Sequence, residues 1–253
     1  MTIAFQWVLW FVAYSFMGWV YESIICSIAQ KKFINRGFLN GPLCPVYGFG
    51  ALVCILLLYQ RIEDPVALFF MGMLLTCAVE YVTAVLLEKL FQAKWWDYSN
   101  RRFNLNGRVC LLGALVFGIL SVLLVKIIHP QVAALTAQVP EWLQIVLSVA
   151  LLILISLDLY ATVRHLLQLN SWLRDIQTAI NDFLSKNVKR AGEVKDAILD
   201  RFEESEFYNE RIKTLFNLNR IQNMRIFRAF PDLRSLKYNE AFQKLKKIVL
   251  GEK

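Results

Sequence analysis

No lysine or arginine occurs before Lys31. The first apolar run therefore lacks the basic flank of a secretion signal, is too long for one, and is followed by no small-x-small cleavage site, so it is expected to persist as a helix. No GxxxxGK[ST] motif occurs, which excludes a P-loop in this chain. There are two histidines, and the five cysteines (Cys26, Cys44, Cys54, Cys77, Cys110) show no C-x-x-C or metal-ligand spacing. All five lie in or beside apolar segments and read as small packing residues.

What the chain has in excess is apolar length. Hydrophobic residues make up 57% of 253 positions and the mean hydropathy is +0.45, too apolar for an ordinary soluble domain. Charge-poor runs fall at about 3–28, 45–60, 66–92, 108–128 and 142–167, and a hydrocarbon core of about 30 Å demands runs of this kind. The expected fold is all-α: an integral membrane bundle of about five spans within residues 1–168, followed by a cytoplasmic helical tail over 169–253. Basic residues alternate between the connections. Lys31, Lys32 and Arg36 mark the first, Arg61 alone the second, Lys94, Arg101, Arg102 and Arg108 the third, and Lys126 the edge of the fourth. That alternation predicts an outside N-terminus and a cytoplasmic C-terminus.

Residues 211–253 carry 11 basic and 3 acidic side chains, an excess of +8 equal to that of the whole chain. Trp172, Ile176, Ile180 and Phe183 share a helical face, as do Tyr238, Ala241, Phe242, Leu245 and Ile248. Arg220, Arg225, Arg228 and Arg234 lie between these faces, and Pro231 should break the helix there. Such a tail can lie on anionic lipid, dock on an ATPase or other protein partner, or form a solvated bundle. No nucleic-acid motif accompanies the charge, and no nucleic-acid partner is expected.

Four acids interrupt the apolar runs: Glu22, Glu80, Glu88 and Asp158. Intramembrane acids are functional candidates by default. Tyr14, Gly18 and Glu22 share a helix face, as do Thr76, Glu80 and Thr83, and Asp158, Thr162 and His165; His165 is read as an interfacial residue at the helix exit. The stretch NRGFLNGPLCPVYGFG (35–50) leads into the second run. A helix from Pro45, at its first position, to Gln60 is too short to span, and Gly37, Gly41 and Pro42 forbid regular helix before it. Irregular backbone at membrane depth survives only when buried in protein or lining a polar cavity. Asn35 to Tyr47 is therefore expected to line a pocket on the cytoplasmic side, with free N–H groups near Val46 and Tyr47 suited to an anion. Gly41→Val is expected to disrupt more than Gly118→Val. The second polar connection, WWDYSNRRFNLNGR (95–108), offers Trp95, Trp96 and Tyr98 as headgroup-level aromatics, with Asp97, Asn104, Asn106 and Arg108 beside them. The candidate ligand-binding set is Glu22, Asn35, Arg36, Asn40, Tyr47, Glu80, Trp96, Asp97, Asn106, Arg108 and Asp158.

The blocks FMGWVYES (16–23), FINRGFLNGPLCPVYGFG (33–50), EYVTAVLLEKLF (80–91), WWDYSNRRFNLNGRVCL (95–111) and, more loosely, RAFPDL with SLKYNEAFQKLK (228–246) resemble the bacterial putative ABC-transporter type IV, or CmpB, family. The resemblance implies a multi-pass protein of the bacterial cytoplasmic membrane with a transport-related role. With no P-loop here, a nucleotide-driven mechanism would need a partner subunit. Three readings stay open: a permease-like protein binding a small solute or lipid headgroup, without cofactor; an enzyme acting on a lipid headgroup, with a divalent metal on Glu22, Asp97 or Asp158; and an assembly or regulatory protein whose polar residues hold helices together. Membrane lipid is an expected partner, and self-association is open.

Overall fold

The computed structural model describes residues 2–191, 220–239, 242–243, 246 and 250. The side chains of Trp172, Ile176, Ile180, Phe183, Arg220, Ala241, Leu245 and Ile248, on which the two tail faces partly rest, lie outside the described residues. Helix α1 runs Thr2–Gln30, α2 Pro45–Leu58 and α3 Pro65–Phe91. Three two-residue strands follow, β1 (Ala93–Lys94), β2 (Asn104–Leu105) and β3 (Val109–Cys110), and then α4 (Leu111–Leu123). A π-helical turn over Leu124–Ile128 joins α4 to α5 (His129–Gln138), and α6 runs Glu141–Ala191. In the tail are α7 (Arg220–Ala229) and β4 (Arg234–Ser235). Among the described residues four helices are long and apolar enough to cross a membrane: Ile3–Gln30, Pro65–Phe91, Leu111–Gln138 and the first 35 residues of α6. The fifth expected span is the short helix α2.

Local chemistry explains the boundaries. Pro45 and Pro65 occupy first-turn positions, where a missing N–H costs nothing. The Asp64 carboxylate accepts from Ala67 N at 2.7 Å and caps α3. The third long helix does not stop at Ile128, where its apolar run ends. Pro130 has no N–H for the carbonyl four residues back and its ring crowds that carbonyl. The π turn just before it widens the helix there, and the helix continues to Gln138. Nor does the change from apolar to charged composition near residue 168 break α6, which passes straight through it.

Close helix crossings depend on small residues. A Cβ on Gly18 would fall 2.3 Å from the Tyr47 ring, and one on Gly48 2.2 Å from Ser15 Oγ, so these two glycines set the α1–α2 approach. Between α3 and α4, Gly72 faces Ser121 and Gly118 faces Phe69. This reverses one expectation. A Cβ on Gly118 would meet Phe69 Cε2 at 2.6 Å, whereas one on Gly41 meets Asp158 Oδ2 at 3.2 Å. Overpacking a tight site costs about 1–3 kcal/mol. Gly118→Val is therefore expected to lower the melting temperature in detergent more than Gly41→Val, and the opposite order would contradict the packing described.

The tail returns to the bundle. Ile226, Phe227, Ala229, Phe230, Leu233 and Phe242 join Ile34, Phe91, Trp95, Leu166, Leu169 and Leu173 in one buried cluster. β4 pairs antiparallel with β1, with Ala93 opposite Ser235 and Lys94 opposite Arg234. The apolar side of the described tail thus covers the end of the bundle where residues 31–44 and 92–110 lie. Trp95, read as a headgroup-level aromatic, is 3% exposed and packs edge-on against Phe38, Phe91 and Phe230.

Candidate functional site

The stretch 31–44 descends along one face of α1. Ile34 N donates to Ser27 Oγ at 2.9 Å, Arg36 N to Ser23 Oγ at 3.2 Å, and Cys44 N to the Ser15 carbonyl at 2.9 Å. Trp19 Nε1 donates to Asn35 Oδ1 at 2.7 Å. Ser15, Trp19, Ser23 and Ser27 are spaced by four, a single helix face, and they satisfy an irregular chain that has no helix of its own. The segment reaches the middle of α1, so it is broken backbone buried in protein rather than a surface loop. The sequence reading singled out the neighbouring face (Tyr14, Gly18, Glu22). The serine spacing was visible, but serine within an apolar helix more often bonds its own backbone.

At the turn of this segment the anion is supplied by the protein. Asp158 on α6 accepts from Asn40 N (3.1 Å), Asn40 Nδ2 (2.8 Å) and Thr162 Oγ1 (3.3 Å) on one oxygen, and from Gly41 N (2.8 Å) on the other. Arg225 of α7 donates to the carbonyls of Gly37 (2.8 Å) and Leu39 (3.0 Å) and to Asn40 Oδ1 (3.3 Å). The Asn40 amide therefore bridges an acid on one side and a guanidinium on the other, which fixes its orientation. Tyr47 N, expected to be free for an anion, donates to the Cys44 carbonyl at 3.0 Å. Arg36 lies 3.6 Å from Glu22, donates to the Ala229 carbonyl, and has its guanidinium 4.6 Å above the Phe230 ring. Tyr47 donates to Glu22 Oε1 at 2.6 Å.

The connection 92–110 is bonded as fully. Asn106 and Gly107, both at positive φ, turn the β2–β3 hairpin. Gly107 is required there, because a Cβ would also run into Ser99 Oγ, Asp97 Oδ1 and Lys94 Nζ. Arg108 pairs with Glu88 (2.6 Å) and donates to Tyr81 Oη (2.9 Å), to which Asn106 Nδ2 also donates. Trp96 Nε1 donates to the Arg108 carbonyl at 2.9 Å. Asp97 binds Lys94 (2.8 Å), Ser99 and, from the tail, Arg234 (2.7 Å). Burial alone would raise the Asp97 carboxyl, but the hydrogen bonds from Lys94 and Ser99 outweigh it and hold the group well below the usual carboxylate range.

Glu80 stands apart. It is 9% exposed, and among the described residues its recorded hydrogen bond is a long one from Tyr98 Oη, 3.5 Å. Burial, then Glu80 and Glu22, push the Tyr98 hydroxyl upward. Glu80 lines a cavity of about 160 Å³ between α1, α2, α3 and α4, with Tyr14, Tyr47, Thr76, Phe117 and Ser121 among its walls. Of the eleven candidates, Tyr47 and Glu80 reach it, and Glu22 touches it through Tyr47. Asn35, Arg36, Asn40, Trp96, Asp97, Asn106, Arg108 and Asp158 are bonded within the loop and tail framework. Glu22, Asp97 and Asp158 have separate partners, and among the described residues no three His, Cys, Asp or Glu side chains converge to hold a metal. His165, read as interfacial, is 5% exposed.

Comparison with curated proteins finds no match, and neither does comparison with solved structures. The family profile described as putative ABC-transporter type IV matches residues 9–163, more than half of the chain, including the four membrane-length helices in whole or part and both polar connections. The chain is a multi-pass membrane protein that belongs to the putative ABC-transporter type IV family.

Proposed function

We propose that this chain is the permease-like membrane subunit of a transporter in a bacterial cytoplasmic membrane, and that its ligand enters the cavity between α1, α2, α3 and α4. The observation that carries this reading is Glu80. A buried acid whose hydrogen bond among the described residues is one 3.5 Å contact, facing a cavity walled by apolar groups and hydroxyls, must either keep its proton or pair with a partner that visits it. Glu22 pairs with Arg36, Glu88 with Arg108, and Asp97 with Lys94 and Arg234, which supports a framework role for them. With no P-loop in the chain, nucleotide-driven transport would require an ATPase subunit.

Gly50 lines the cavity, and a Cβ there would meet Thr76 Cγ2 at an ordinary 3.8 Å. Gly50→Val should therefore fill the space without unfolding the bundle. Native mass spectrometry of the chain in mild detergent is expected to show a retained small molecule that Gly50→Val expels. A molecule retained equally by both, or by neither, would refute the cavity as the ligand site.

The proposed orientation puts the N-terminus and residues 61–65 outside, and residues 29–41, 93–107 and the tail in the cytoplasm. Support comes from Arg225, Arg234 and β4, which tie the tail to the two basic connections. In a Cys-free background, Arg102→Cys is expected to resist an impermeant thiol reagent applied to intact cells. Efficient labelling from outside would invert the topology.

A further inference from the structure

The lining of this cavity is biased toward accepting hydrogen bonds. Thr76 donates its hydroxyl proton to the Gly72 carbonyl (2.7 Å), Ser121 to the Phe117 carbonyl (2.8 Å) and Tyr47 to Glu22 (2.6 Å). The Tyr14 hydroxyl is bonded to His129 Nδ1 at 2.8 Å. The Thr76, Ser121 and Tyr47 oxygens keep lone pairs while their protons are engaged, which leaves Tyr21, and Tyr14 in the His129 tautomer that donates to it, as the hydroxyl donors on the wall. Glu80 adds a carboxylate that is more than nine-tenths buried, and none of the lining side chains is Lys, Arg or His. Tyr47 and Phe117 meet edge to face, with ring centroids 6.0 Å apart, and aromatic faces attract a cation.

An anion would meet lone pairs and a carboxylate, and a hydrocarbon would leave that carboxylate unpaired. Drug-sized ligand sites occupy about 300–1,000 Å³, so about 160 Å³ restricts the ligand to a small molecule. Building on the proposal that this cavity is the ligand site, we infer that its ligand is a small organic ammonium ion. The ammonium group would donate to Glu80 and the wall hydroxyls, with its apolar body among the tyrosines and Phe117.

The test titrates the full chain in lipid nanodiscs with benzylammonium, benzyl alcohol and benzoate, three probes of similar size that differ in charge. Benzylammonium is expected to bind at least about tenfold more tightly than the other two, the scale of one charge-assisted hydrogen bond. Glu80→Gln should abolish that preference while leaving the weaker binding of the alcohol in place. Phe117→Leu, which keeps the apolar volume, should reduce the preference even if Glu80→Gln fails to fold. Equal binding of the alcohol, preference for benzoate, or ammonium binding indifferent to Glu80→Gln and Phe117→Leu would overturn the assignment. Should Gly50→Val still block the probes in those cases, the cavity stands and only the cation is lost. If none of the three binds and no co-purified molecule depends on Gly50, the cavity reading falls as well.

Discussion

Asp158→Ala is expected to destabilise the protein by about 2–4 kcal/mol, at the lower end for two donors because the site is half-buried and each buried donor left unpaired costs about 1–3 kcal/mol. The carboxylate accepts from the backbone N–H groups of Asn40 and Gly41 and from the Asn40 amide, and the broken segment has no secondary structure to replace those bonds. Asp158→Asn keeps one accepting oxygen and should recover part of the loss. Thermal unfolding in detergent checks the series. A melting temperature unchanged in Asp158→Ala would mean that the segment is held elsewhere.

Truncating Phe227 should act on a different part of the molecule. It is 1% exposed, lies in the cluster shared by bundle and tail, and stacks edge-on with Phe242 at 5.4 Å. Phe→Ala in a packed core costs about 3–5 kcal/mol. Here that loss falls on the docking of the described tail residues rather than on the membrane helices, so Phe227→Ala should release them and leave the bundle folded. Hydrogen exchange is the readout: amides of the β1–β4 pair (93–94 and 234–235) should lose protection, while those of α3 keep theirs. Retained protection at β1 and β4 would contradict docking through this cluster.

The apolar runs placed the start of every membrane-length helix among the described residues to within a few residues, because a bilayer imposes length and composition directly. The fourth and fifth runs missed their helices' ends: one helix continues past Pro130 through a π turn to Gln138, and α6 continues through the change to charged composition. The broken stretch before Pro45 was legible from the sterics of Gly37, Gly41 and Pro42. The occupant of its N–H groups was not. That Asp158, more than a hundred positions away, binds the Asn40 and Gly41 N–H groups follows from tertiary register alone. The packing of the described tail residues on the bundle was not legible, because charge dominates the tail's composition. Ile226, Phe227, Phe230 and Leu233 are few among many basic residues, and nothing local says that they meet Trp95. Trp95 in turn has the composition of an interfacial aromatic but the position of a core residue. Glu80 was singled out by depth, yet the cavity beside it depends on how four helices pack.

The central claim is that the ligand site is the cavity at Glu80 and that the loop at residues 35–47 is framework. An electron-density or cryo-EM map of the chain in lipid nanodiscs, purified without stripping bound molecules, tests it most directly. The prediction is non-protein density between α1, α2, α3 and α4, within hydrogen-bonding reach of the Glu80 carboxylate, with Asp158 still bonded to Asn40 and Gly41. An empty cavity, with density instead seated on the Asn40 and Gly41 N–H groups and Asp158 displaced, would contradict it.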